Sequence, residues 1–161
     1  FAHFEFVHKV PIIPVFTRQD FDGPVSYVDF TIAFEGSPGS IEEVDSGVEA
    51  INGGLGVAVT RSHGMLDNRT ATCVTPVDDE ASDVRFSVWI RRRPGLGDDE
   101  SAELAVKHGL SVIQQFEADL AIWKYQKYSD PAALAPGEYE GFTALRQWAT
   151  QFYPDQPLLE R

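Results

Sequence analysis

The chain has 161 residues, is 43% hydrophobic, and carries 25 acidic against 13 basic side chains for a formal net charge of −12. That balance repels nucleic-acid phosphates and anionic lipid surfaces. The single cysteine, Cys73, excludes an internal disulfide and a cysteine-rich zinc cluster. No apolar run reaches the roughly 20 residues of a membrane span, so the expectation is one domain over residues 1–161 in a reducing, cytoplasmic compartment.

The chain opens with FAHFEFVHKVP, which sets His3 and His8 among aromatics. On an ideal helix five residues of separation place two rings about 140° apart, a poor arrangement for chelating one ion. A break, a π-bulge or an exit from the helix between Glu5 and Val7 would bring both rings to one side. The sequence begins at Phe1 with this apparent motif already under way, which makes it a candidate fragment of a longer protein.

Next, VSYVDFTIAF (25–34) alternates: Val28, Phe30, Ile32 and Phe34 point one way, and Tyr27, Asp29 and Thr31 the other. This is the period of a half-buried antiparallel strand. The piece GSPGSIEEVDSG (36–47) reads as a loop or a short helical turn. Strand patterns follow at 54–64, 68–78 and 83–93, separated by the turn-rich INGG, HGMLDN and DDEAS, so the spacing predicts a meander. Phe30, Ile32, Val57 and either Trp89 or Phe86 are candidate cavity-lining side chains and equally candidate core. IRRRPG (90–95) reads as a solvated strand end, with docking of an acidic partner as the other reading. His63 and His108 lack a ligand-like companion in sequence and read as surface residues, and Cys73 reads as a small strand residue. Asn68, Arg69 and Thr70 form an N-glycosylation triplet, which matters only in a secreted protein.

Residues 98–128 are acidic at the start, basic at the end and apolar at helical spacing, the signature of one long helix, with Gly109 as a local weak point. A partly helical aromatic piece, GFTALRQWATQFY, lies among four prolines in the tail and is expected to pack back on the core. A curved antiparallel sheet closed by a long C-terminal helix is an α+β arrangement of the helix-grip (START/Bet v 1-like) class. Such a domain can enclose an apolar cavity.

Val112, Phe116, Asp119 and Trp123 share one face of that helix, and Asp119 is its only charged member. An ionised carboxylate on an apolar stripe costs several kcal/mol unless it is paired or holds a metal. Periodicity leaves two readings open: a salt bridge to a base, the commoner fate, or a metal ligand. Glu117 falls about 200° around the helix and belongs in solvent. Two histidines and a distant carboxylate together compose the facial triad of non-haem Fe(II) oxygenases.

These residues also carry a resemblance. FAHFEFVH resembles the second half of the iron motif N-x-x-D-x-x-H-x(4)-H of Rieske-type non-haem iron oxygenases, with His3 and His8 at the ligand positions. FEADLAIWKYQKY resembles the E-x-D-x-x-I-W-x-x-K stretch of the 3-ketosteroid 9α-hydroxylase oxygenase branch, with Asp119 at the carboxylate ligand. TPVDDE, RFSVWI and LRQWATQFYP look like the same branch. The resemblance implies a catalytic domain in which His3, His8 and Asp119 hold Fe(II). It implies O2 as oxidant and a hydrophobic, steroid-like ring compound as substrate. Electrons would come from NAD(P)H through a reductase or ferredoxin and a Rieske two-iron two-sulfur cluster, and the copies would form a homo-oligomer, a trimer in this family.

Two features of the family fall outside this sequence. The bridging aspartate would stand immediately before Phe1, and the cluster's C-x-H and C-x-x-H pairs are not present, so the Rieske domain is expected in a missing N-terminal part. The alternative reading is a metal-free helix-grip module that binds a lipid or sterol, with Asp119 paired to a base.

Overall fold

In the computed structural model the described residues are 2–35, 41–64, 67–78 and 80–153, with the side chains at positions 2, 3, 35 and 41–44 left out. A short helix α1 (Ala2–Phe6) leads into six strands: β1 (Ile13–Asp22), β2 (Val25–Glu35), β3 (Ile41–Gly53), β4 (Val57–His63), β5 (Asn68–Pro76) and β6 (Ser82–Ile90). Each strand pairs antiparallel with the next, giving one sheet in the order β1-β2-β3-β4-β5-β6. The long helix α2 (Asp98–Trp123) follows, then α3 (Tyr139–Ala149) and a 3-10 turn (Thr150–Phe152). This is the α+β helix-grip arrangement, and no helix among the described residues is long and apolar enough to cross a membrane.

The alternation in residues 25–34 is realised in β2, where Phe30 pairs with Val48 and Val28 with Ala50. The segment read as a loop or helical turn differs. Residues from Ile41 onward form β3, held by pairing of Phe34 with Glu42 and Ala33 with Glu43, while 36–40 lie outside the described residues. Its Gly, Ser and acids have weak strand propensity, and the paired neighbour overrides it. The register breaks between Thr31 and Ile32, where Thr31 pairs with Gly47 and Ile32 with Val44. Gly47 is required at this bulge, because a Cβ there would stand 2.6 Å from the Phe30 carbonyl oxygen and 2.9 Å from His63 Nε2.

α2 begins where Glu100 Oε2 accepts a hydrogen bond from the Gly97 amide at 3.0 Å, and Asp98, Asp99 and Glu100 complement the helix dipole in its first turn. It ends at Trp123, earlier than its charge pattern suggests. The Lys124 amide still reaches Leu120 O, but Tyr125 and Gln126 bond only three residues back, to Ile122 O and Trp123 O. Such tightening is a common way for a helix to close. The basic residues therefore lie just beyond the last turn.

α3 folds back against the start of the sheet. Trp148, 8% exposed, donates from Nε1 to Gly23 O at 2.8 Å and stacks on Phe21, while Phe152 meets its ring edge-on. Gln19 Nε2 donates to Gly141 O at 2.8 Å, fixing the same helix to β1. The tail aromatics thus do pack on the body of the domain.

Candidate metal centre

α2 meets the sheet along β6, and the contact is aromatic: Phe86 and Phe116 stand 4.4 Å apart edge to face, and Phe116 in turn meets Trp123 at 5.2 Å. Pairing runs from Phe86 to Thr72 and on to Ala58 and Asn52, so these positions share the helix-facing side of the sheet. By the same register Val57 pairs with Cys73 and Cys73 with Arg85, which places Val57 on the opposite side. Val57 is 45% and Trp89 57% exposed. Both are therefore excluded as cavity-lining residues. Their strands carry apolar residues on both faces, and alternation alone does not say which face turns inward. Phe30 and Phe86 are on the helix-facing side, and Ile32 continues the Phe30 side of β2.

The second tie between α2 and the sheet comes from His108. Asn68 Nδ2 lies 3.1 Å from His108 Nε2, so the amide donates to a neutral imidazole. The sequence reading of His108 as a surface residue is corrected by this contact. Asn68 is 8% exposed and its amide is committed, so the glycosylation triplet is a structural one. His63 lies at the end of β4, half-buried against Gly47. Arg91 and Arg92 of the basic run pair with Asp67 at 3.0 Å and Asp98 at 2.7 Å.

These two ties set the azimuth of α2 and hence of Asp119, one turn beyond Phe116 on the same face. Glu117 is exposed, as its position around the helix demands. Meeting Asp119 from the other end of the chain is His8. Its Nε2 stands 3.2 Å from Asp119 Oδ1, and the two side chains are only 9% and 20% exposed. Among the described residues, the ion-pair partner of Asp119 is this imidazole.

His8 lies beyond α1, whose last helical residue is Phe6, so helical spacing does not govern where its ring goes. Lys9 adopts a left-handed backbone with φ of 59°, and the Val10 amide reaches back to Phe4 O at 3.0 Å. The ring of Phe4 flanks that of His8 at 5.9 Å. His3 lies on α1, but its side chain is outside the described residues. Among the described residues no third His, Cys, Asp or Glu joins the pair.

The pair fits a small divalent cation. Two donors each about 2.1 Å from an octahedral ion and at right angles to one another stand about 3.0 Å apart, close to the 3.2 Å observed. An imidazole nitrogen with a carboxylate oxygen is also two-thirds of the donor set that non-haem Fe(II) takes. A direct His–Asp ion pair accounts for the same separation, so geometry alone admits both.

A helix-grip domain with a sheltered imidazole–carboxylate pair between its N-terminal turn and its long helix is the class that fold and site define. The family model described as "3-Ketosteroid 9alpha-hydroxylase C-terminal domain" matches residues 1–153, and the chain belongs to that family. Two curated relatives from Rhodococcus rhodochrous, each named "3-ketosteroid-9-alpha-monooxygenase, oxygenase component", are similar to it. One is 26% identical over 90 residues, which is 56% of this chain and 24% of the relative. The other is 29% identical over 83 residues, 52% of this chain and 21% of the relative. The aligned stretch thus spans about a quarter or less of those longer proteins.

Proposed function

We propose that the chain is the iron-holding catalytic part of an oxygenase component acting on a 3-ketosteroid or a similar flat hydrophobic ring compound. His8 and Asp119 are two ligands of the iron and His3 the third. The observation that carries this reading is the approach of His8 Nε2 to Asp119 Oδ1 at 3.2 Å across 111 positions of sequence, in a domain of this family. Bound Fe(II) supplies O2 activation and insertion of oxygen into the substrate, chemistry that no side chain of the chain provides.

The chain's own residues do the rest. Asp119 and His8 would offer the iron a carboxylate oxygen and an imidazole nitrogen, two of the donor types that non-haem Fe(II) takes. Phe86, Phe116 and Trp123 form a wall of aromatic rings beside Asp119, which limits water around the carboxylate. α2 covers the sheet mainly along β6, which leaves the helix-facing side of the central strands to receive a ligand. That side mixes Phe30, Val48 and Ala58 with the hydroxyls of Thr60 and Thr72. An apolar surface with a few polar groups suits a ring system bearing a keto group.

The relatives' name, "oxygenase component", points to a separate electron-donating component, and we propose that the chain works with a reductase. The resemblance in the sequence extends that proposal to NAD(P)H as electron source, a Rieske cluster and assembly of copies as trimers. The reading is tested by anaerobic Fe(II) titration of the protein, which should give about one site per chain. A 3-ketosteroid added to the iron-loaded protein should then quench tryptophan emission through Trp123. Absence of any stoichiometric iron binding would favour the metal-free lipid module instead.

A further inference from the structure

We infer that the face of the sheet turned away from α2 is an interface between two copies of this chain, related by a two-fold axis that runs along the strands between β3 and β4. This surface lies across the sheet from the candidate metal centre and does not depend on the iron reading. Register defines it. Trp89 pairs with Arg69, Arg69 with Arg61, Arg61 with Glu49 and Glu49 with Asp29, one row on the side opposite Phe86. The next outward row holds Ala71, Val59, Ile51 and Tyr27, and the row after it Cys73, Val57, Gly53 and Val25. A sheet face left to water is ordinarily polar. Here Ile51, Val57 and Val59 are exposed side by side at its centre, with Trp89 at its edge, and an exposed apolar patch of this kind marks an interaction surface.

Charge says what covers the patch. On this face β1, β2 and β3 carry Asp20, Asp22, Asp29 and Glu49, with Arg18 among them, while β4, β5 and β6 carry Arg61, Arg69 and Arg85, with Asp83 at the far end. Asp22 and Arg69 make no ion pair among the described residues. One half of the face is thus acidic, the other basic, and the line between them apolar. That pattern is complementary to itself. Turning a second copy about an axis along the strands lays β3 on β4 and β2 on β5. Ile51 then meets Val59 of the second copy, and Asp29 meets its Arg69. The Glu49–Arg61 pair, 3.3 Å apart, lies antiparallel to its counterpart, so that charge alternates around the group. An axis across the strands would instead lay each strand on itself and set acid on acid. The charges therefore select the first axis. The chain's net charge of −12 repels copies at long range. At physiological ionic strength a screening length of about 8 Å leaves the balance to the groups in contact.

The test is association of the metal-free protein, read by light scattering on the eluting species at physiological salt over about a hundredfold range of concentration. At the upper end the parent should have the mass of an even number of chains, a value that also accommodates trimers joined in pairs. Arg69→Asp, at an exposed side chain, should raise the dissociation constant by about a hundredfold or more, because the two-fold axis repeats the new like-charge contact. Asp29→Lys should do the same, and the two together should restore association to within about tenfold of the parent. Within one chain Asp29 and Arg69 stand three strands apart, about 14 Å, so their mutual rescue reads a contact between copies. Val59→Glu should also separate the copies, and it keeps the test decisive if Asp29→Lys, set beside Arg18, fails to fold. An odd number of chains at every concentration overturns the inference and leaves the face to a different protein. So does association unchanged in both Arg69→Asp and Val59→Glu, or a folded double variant that does not regain it.

Discussion

His8 reaches the candidate site on a turn closed by the Val10 amide on Phe4 O, whereas Asp119 is carried there by a 26-residue helix anchored to strands elsewhere in the sheet. Within the turn, the Lys9 ammonium also donates to Phe6 O. The helix needs Phe86 under Phe116 and Asn68 under His108 before its carboxylate points the right way. Errors in the turn should therefore appear in metal binding with little change in stability. Errors beneath the helix should appear in both.

The largest expected effect is at the point where the two regions meet. Asp119→Ala should lower Fe(II) affinity by about a hundredfold or more, beyond the range seen for supporting residues, as measured by anaerobic calorimetry. Phe116→Ala should cost about 2–3 kcal/mol in urea unfolding, below the full range for a buried Phe because its face of α2 is only half-buried. It should weaken iron binding as well, through Asp119. If Phe116→Ala left affinity intact, the claim that packing beneath α2 aims Asp119 would be wrong.

His108→Ala should cost about 1–2 kcal/mol, the penalty for leaving the buried Asn68 amide without its acceptor. The smallest effect belongs to Glu117→Ala, on the exposed face of the same helix, which should change stability by about 0.5 kcal/mol at most. A larger effect would mean that the outer face of α2 is covered in solution.

The need of Asp119 for a partner was legible before the fold. Asp119 stood out because one carboxylate on a stripe of Val112, Phe116 and Trp123 has to be explained by a partner, and the structure supplies His8. The five-residue spacing of His3 and His8 left an exit from the helix near Glu5 to Val7 as one way to bring both rings inward, and α1 ends at Phe6. VSYVDFTIAF was readable as a strand because only one of its faces is uniformly apolar.

Other parts were not legible, for physical reasons. β1 is interrupted by a bulge between Phe16 and Arg18, and β3 is rich in acids and glycine, so each depends on pairing with β2 more than on its own propensity. Val57, and Trp89 as the alternative to Phe86, are readable as inward because both faces of their strands carry apolar residues, and only the register decides between the faces. The neutral bond between Asn68 and His108 joins residues 40 positions apart, and no local pattern announces it.

The central claim is that His3, His8 and Asp119 act on one ion, and iron content tests it most directly. The parent protein and the variants His3→Ala, His8→Ala and Asp119→Ala are reconstituted anaerobically with Fe(II), desalted, and assayed for metal, with circular dichroism confirming that each is folded. The account predicts about one iron per chain in the parent and loss of most of it in all three variants. Undiminished iron in His3→Ala and Asp119→Ala would contradict it.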